Sequence, residues 1–334
     1  MGERWVRPSV RVGAALLALL FLAAFPLQGL KPYFSQLMEM LGIVLLLVLG
    51  LNLIFGYAGQ ISIAQAGFFG LGAYTAALLQ ARLGWRFPLA VLAGVASPSL
   101  LAAVLGTPIL RLKGYYLALA TIGLGTMVYE ALEQWQDLTG GPIGVMGIQR
   151  PPILDSETLY YYLIWALAIL AFLLVRNLDR CAVGRAWVAI RENEQAAAAM
   201  GIDAARYKLL AFVLSAALAG LAGGLYAFLN RYISPDSFGL NYSMILIASM
   251  IIGGAGTLGG ALIGSALLVL LPELTQAFAD YHLLVFGAIL VLVLRFLPRG
   301  VWGSFRRHLA DRRPGEGTAA SPPPELQALA GTPP

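Results

Sequence analysis

The chain has 334 residues, of which 59% are hydrophobic and 12% charged, against roughly 45–50% and 25% in a soluble globular domain. Apolar runs of about 20 residues, the length of a bilayer-spanning helix, recur along most of it, which excludes a soluble fold and predicts an all-α polytopic transmembrane bundle. The formal charge of +5 does not point to nucleic acid, because the basic residues fall in loops and ends between apolar runs, where they set topology.

Arg4, Arg7 and Arg11 precede the first apolar run, Val12 to Leu30. A charged start with an apolar middle fits either a retained first span or a secretory signal peptide, and the sidedness downstream is the same in both cases. A second run, Leu37–Phe55, leads into GYAGQISIAQAGFFGLGAYTAALL, from Gly56 to Leu79. Glycines interrupt this hydrophobic segment, and small residues of this kind allow helices to approach closely in lipid. They also suit a broken helix, since irregular backbone at membrane depth is tolerated where it lines a water-filled path. On that second reading Gly59, Gln60, Ser62, Gln65, Gly67 and Tyr74 are candidate path residues.

Phe87–Leu110 is the next predicted span, with Pro98 and Pro108 as candidate kinks, and Arg111 and Lys113 mark an inside edge. Tyr115–Trp135 crosses back and carries Thr121 and Gly125, two further candidate path residues. The following loop holds Asp137, Asp155 and Glu157 against Arg150 and is placed outside, and Leu159–Val175 returns the chain. The loop from Arg176 to Lys208 carries six basic residues and is therefore cytoplasmic by the positive-inside rule.

Within that loop Trp187, Ile190, Glu194 and Ala197 recur at helical spacing among polar Arg191, Glu192, Asn193 and Gln195. The pattern predicts one short helix lying flat at the membrane surface, or else an ordinary charged loop. The helix should stop at Gly201, since glycine takes positive φ without a Cβ penalty, and Asp203 can cap the next helix. A surface helix joined by a tight elbow to the span Leu209–Leu229 would act as a lever. Ala216, Gly220 and Gly224 form a small-residue row in that span.

The run from Tyr242 to Leu271 is too long for one ordinary span and too short for two. Crossing once, it would make the last span, Leu283–Leu297, deliver Arg299, Arg306, Arg307, Arg312 and Arg313 to the outside. Two short helices hinged at GGAGTLGG avoid this, with Gly254, Gly256 and Thr257 as candidate path residues; the other reading is one long tilted helix. The tail after Arg313 is rich in Pro, Gly and Ala and is expected to be disordered.

The sequence has no phosphate-binding G-x-x-x-x-G-K-[ST] loop and no G-x-S-x-G nucleophile motif. Its single cysteine, Cys181, and its two histidines, His282 and His308, have no second ligand nearby in sequence. No catalytic or metal-ligating residue is therefore expected, and any nucleotide hydrolysis falls to another subunit.

The words AIRENEQAAAAMGI, YKLLAFVLSAALAG and AGGLYA, with GLNLIFGYAGQISIAQAGFFGLGAYTAALL, resemble the permease subunits of branched-chain amino acid ABC importers, in the expected order over Leu37 to Pro298. The family often has a His near Gln65, which this chain lacks. The resemblance implies about eight full spans plus the re-entrant or broken-helix hairpin, both termini cytoplasmic, in the plasma (inner) membrane. Residues 1–11 would be a cytoplasmic N-terminus, 12–298 the permease domain and 299–334 a cytoplasmic tail. It also implies a homologous second permease, two ATP-binding subunits carrying the ATP and Mg, and an extracytoplasmic binding protein. The coupling loop, 178–207, would meet the ATPase through Trp187, Ile190, Arg191, Glu192, Asn193 and Glu194, with Ala197, Ala198, Met200 and Gly201. A stand-alone secondary transporter or channel for a small neutral solute such as urea or short amides is the alternative. Ion-coupled carriers commonly hold an ionisable group near midplane, whereas Glu39 and Glu130 lie towards helix ends.

Overall fold

The computed structural model describes residues 32–274, 287 and 300–304. The run Val12–Leu30, the span Leu283–Leu297 apart from Gly287, the arginines from Arg306 onward, both histidines and the C-terminal tail lie outside them.

The central helix is α1, Pro32–Leu51, continued by a π-helical turn over Asn52–Tyr57. Ile43 to Leu49 are all at most 2% exposed. An apolar helix buried on every side occupies the middle of a bundle. Around it stand α2 (Gln65–Leu83), α3 (Phe87–Ile109), α4 (Tyr115–Gln134), the single turn α5 (Gln136–Thr139) and α6 (Glu157–Arg180). Then come α7 (Ala182–Glu192), α8 (Glu194–Ala199), α9 (Ala204–Asn230), α10 (Leu240–Gly253) and α11 (Leu258–Leu274). Among the described residues, six helical stretches are long and apolar enough to cross a membrane: Tyr33–Tyr57, Phe87–Ile109, Tyr115–Gln134, Glu157–Arg180, Ala204–Asn230 and Pro235–Gly253. The chain is an all-α, multi-pass membrane protein; among the described residues a two-residue antiparallel clip, β1 (Val145–Met146) with β2 (Tyr232–Ile233), tethers the α5–α6 loop to the end of α9.

Helices α2, α3 and α9 cross where glycines replace side chains. A Cβ on Gly220 would lie 2.3 Å from the Gly94 carbonyl oxygen, and one on Gly72 would lie 2.5 Å from Gly220 Cα. Backbones this close exchange dispersion contacts directly, which is how helices associate in lipid. Of the predicted row, Gly220 makes the close crossing and Gly224 has ordinary clearance, while its neighbour Gly223 is also tight: a Cβ there would fall 2.1 Å from the Phe69 carbonyl oxygen.

Gly56–Leu79 is both broken and closely packed, at different residues. From Ser62 to Ala64 the chain is non-helical yet buried or half-buried, and the Ile63 N–H donates to Thr121 Oγ1 at 3.1 Å. From Gln65 onward it is regular helix, with Gly67 against Gly125 Cα. The Tyr242–Leu271 run is also broken. Helix α10 ends at Gly253, Gly254 and Gly256 take φ of +119° and +74°, and α11 restarts at Leu258. The single tilted helix is excluded, because two residues in the left-handed half of φ space cannot sit in one α-helix.

The expected single helix in the charged loop is corrected to two. Asn193 is extended (φ −158°, ψ 107°) and its Oδ1 accepts the Gln195 and Ala196 N–H groups, each at 3.0 Å. A short side chain that caps a following turn competes with helix continuation.

Candidate functional site

Helices α7 and α8 form an arm at one end of the bundle, and its inner face is built from apolar residues at helical spacing. Trp187, Ile190 and Ala197 are at most 4% exposed. Trp187 Nε1 donates to the Tyr207 carbonyl at 2.7 Å, which fixes the arm to the first turns of α9. Between them lies the elbow. Gly201 has φ +83°, the Ile202 N–H donates back to the Ala197 carbonyl at 3.0 Å, and Asp203 Oδ1 accepts the Arg206 N–H at 3.2 Å. That is a left-handed helix end followed at once by a capped start. Below the elbow Lys208, whose side chain is 3% exposed, pairs with Glu194 at 2.9 Å, while Lys113 reaches the same carboxylate at 3.8 Å.

The arm also reaches the backbone breaks of the spanning helices. Arg191 Nη1 donates to the Gly56 carbonyl at 2.7 Å. Its side-chain carbons fill the space where a Cβ on Gly59 would stand, at 2.4 Å, and its Nη1 lies 3.0 Å from where a Cβ on Gly256 would be. Asn52 joins the two breaks to each other, donating through Nδ2 to the Thr257 carbonyl at 3.1 Å and accepting the Gly256 N–H at 2.8 Å. A Cβ on Gly56 would come within 2.4 Å of the Gly256 nitrogen. Two interrupted helices and the arm therefore meet at one junction whose freed peptide groups are satisfied by Asn52 and Arg191, as buried peptide groups require.

Residues 33–294 match the family described as "Branched-chain amino acid transport system / permease component". The chain belongs to this permease family. It is 34% identical over 290 residues to the high-affinity branched-chain amino acid transport system permease protein LivM of Salmonella typhimurium, covering 78% of this chain and 67% of that one. It is 27% identical to the corresponding LivH of Escherichia coli K12, covering 77% of this chain and 90% of LivH. The autoinducer 2 import system permease protein LsrC of Salmonella paratyphi B is also 27% identical, with 96% and 95% covered. No solved structure matches the chain.

In this permease the predicted coupling residues divide by face. Trp187, Ile190 and Ala197 point into the bundle and Glu194 is half-buried, whereas Arg191, Glu192, Asn193, Ala198, Met200 and Gly201 are exposed, Met200 at 83%. The predicted path residues divide too. Gln65 is 1% exposed, donating to the Leu47 carbonyl at 3.1 Å and accepting from Ser215 Oγ at 3.0 Å. Thr121 donates to the Ala118 carbonyl, and Tyr74 is buried edge-on to Phe238. Ser62, Gly67 and Gly125 are packed likewise, while Gln60 is half-buried and Gly59 exposed at the junction with Gly254, Gly256 and Thr257 close by. The sequence reading missed Asn52, although a lone amide in an otherwise apolar run was there to be noticed.

Proposed function

We propose that this chain is the membrane permease subunit of an ATP-driven ABC importer for branched-chain or related neutral amino acids, in the plasma (inner) membrane. A homologous second permease, two ATP-binding subunits and an extracytoplasmic binding protein complete it. ATP and Mg belong to the partner ATPases. The reading rests on the family match, and for mechanism on one observation: through Arg191 the arm is hydrogen-bonded to the Gly56 break and lies against the Gly256 break, while its outer face is exposed. Closure of the ATPases would displace α7 and α8 through Glu192, Ala198 and Met200. Gly201 and the Trp187–Tyr207 bond would carry the motion into α9, and Arg191 would carry it into the Gly56 and Gly256 breaks. Alternating access would follow from shifting those breaks, since packed interfaces switch between discrete arrangements.

Proteoliposomes holding the full importer test this. Arg191→Ala is expected to leave ATP hydrolysis largely intact while leucine uptake falls by about tenfold or more, the effect of losing a charge-assisted hydrogen bond worth roughly 1.5–3 kcal/mol. Normal uptake would refute the assignment, and so would leucine movement driven by a proton gradient through this chain alone.

The same reading puts the arm in the cytoplasm with about eight spans and both termini inside, following the positive-inside rule. The native thiol gives a direct check, because Cys181 is exposed at the α6–α7 corner. A membrane-impermeant maleimide is expected to leave it unmodified in intact cells and to label it after permeabilisation. Labelling in intact cells would put the arm on the wrong side of the membrane.

A further inference from the structure

At the end of the bundle opposite the arm, a cavity of about 500 Å³ opens between the start of α1, the loop before α6 and the end of α9. Its described lining includes three carboxylates, Glu39, Asp155 and Glu157, and two guanidinium groups, Arg150 and Arg231. Four of the five lie close to the surface, and Arg231 pairs with Asp155 at 2.5 Å. Glu39 differs, being 3% exposed with no hydrogen-bond partner at Oε1. A buried carboxyl oxygen without a donor is held against the cost of its lost hydration. Packing alone does not account for an acid placed there.

Arg150 is held in a fixed pose on the same wall. Its Nε and Nη2 donate to the carbonyls of Phe228 and Leu229 at 2.7 and 2.8 Å, and its guanidinium carbon lies 4.1 Å from the Tyr160 ring centroid. Those two bonds leave further N–H groups of the five-donor fork for an acceptor. Glu39 and Arg150 line one cavity without pairing with each other. A fixed, partly satisfied cation and a buried carboxyl oxygen without a donor complement a molecule that carries both charges itself.

We infer that Glu39 and Arg150 form an entry subsite for a free α-amino acid, with Glu39 accepting from the ammonium group and Arg150 donating to the carboxylate. This rests on the importer reading for the class of solute, and the order of events follows from position: the cavity lies at the far end from the arm, where solute would arrive before the glycine breaks move. An ammonium group brings three donors to a carboxyl oxygen, Oε1, that has none. A neutral amide or urea offers no full positive charge to Glu39, so the subsite favours amino acids over them.

The test uses the full-length chain in membranes, with Cys181→Ser and Ser35→Cys, the new thiol lining the cavity and reporting occupancy by its reaction with a membrane-impermeant methanethiosulfonate. L-Leucine and L-leucinamide, which keep the ammonium group, are expected to slow labelling, and 4-methylpentanoate, which lacks it, is not. Adding Glu39→Gln is expected to raise the half-protecting leucine concentration by about tenfold or more, as loss of a hydrogen bond to a charged group does. Equal protection by 4-methylpentanoate, unchanged protection in Glu39→Gln, or no protection by leucine would each overturn the subsite. If Glu39→Gln does not reach the membrane, the comparison of analogues on the Glu39 chain decides. Leucine uptake by the complete importer carrying Cys181→Ser is measured in parallel. Absent uptake with protection intact removes the importer reading and leaves the subsite standing, and intact uptake without protection does the reverse.

Discussion

Glu194→Ala is expected to be far more damaging than Lys208→Met, although the two side chains are partners in one ion pair at 2.9 Å. The asymmetry comes from burial. Lys208 is 3% exposed and Glu194 32%. Removing Glu194 leaves a buried ammonium without a counter-charge, since Lys113 is another cation, and such a loss costs about 3–5 kcal/mol. Removing Lys208 leaves a carboxylate that water reaches and that Lys113, at 3.8 Å, still faces. That exposed contact contributes about 0–1 kcal/mol, so the cost to the bundle is small. Unfolding midpoints of the detergent-purified variants check this, with the double variant Glu194→Ala, Lys208→Met recovering most of the loss. Equal costs for the two single changes would refute the ranking. In the assembled importer Glu194→Ala should also lower uptake relative to ATP hydrolysis, because the pair ties α8 to the first turns of α9.

The parts of this architecture that were legible in the sequence are those set by local rules. The elbow followed from Gly201 and Asp203, because positive φ and a capping carboxylate are properties of single residues at single positions. The hinge at GGAGTLGG was legible for the same reason, aided by the parity of basic ends. What escaped notice depended on partners far away in the chain. Asn52 gains its meaning from Gly256 and Thr257, more than two hundred residues later, and no periodicity in its own helix announces that pairing. Arg191 looked like a surface residue of the arm, and only the fold shows its guanidinium turned to the Gly56 carbonyl. The path residues show a different failure. Gln65, Thr121 and Tyr74 are polar groups among apolar ones, and that composition fits a wet lining and a satisfied interior equally well. In this structure Gln65 is satisfied internally by Leu47 and Ser215 and Thr121 by Ala118, while Tyr74 is buried with its hydroxyl unpartnered. The two-helix arm could have been read from Asn193, whose capping preference competes with the helical spacing of its neighbours.

Gly220→Val is expected to prevent accumulation of the folded protein, and Gly224→Ala, four residues along the same helix, is expected to be tolerated. The distinction lies in what each added carbon would meet. At Gly220 it would be 2.3 Å from the Gly94 carbonyl oxygen, 2.5 Å from Pro98 Cγ and 3.1 Å from Val95 Cα, so backbone and a rigid ring would have to move. At Gly224 the nearest atoms are all at 3.6 Å, ordinary contact distance. Overpacking a dense interior costs typically about 1–3 kcal/mol and more where the obstacle cannot rotate away. Here the obstacle is the backbone of α3, itself locked against Gly72 of α2, where a Cβ on Gly94 would come within 2.8 Å of the carbonyl oxygen. Separating α9 from α3 would therefore also loosen α2, the helix that follows the first break, and α9 is the helix the arm would turn. Gly220→Ala already places the obstructing carbon 2.3 Å from the Gly94 carbonyl oxygen, so it is expected to lower the unfolding midpoint and to slow leucine uptake at unchanged ATP hydrolysis, with the further methyl groups of Val preventing assembly. Gel-filtration profiles in detergent and uptake in proteoliposomes separate these outcomes, and a Gly220→Val chain that assembles and transports normally would show that the three-helix crossing is looser than its geometry implies.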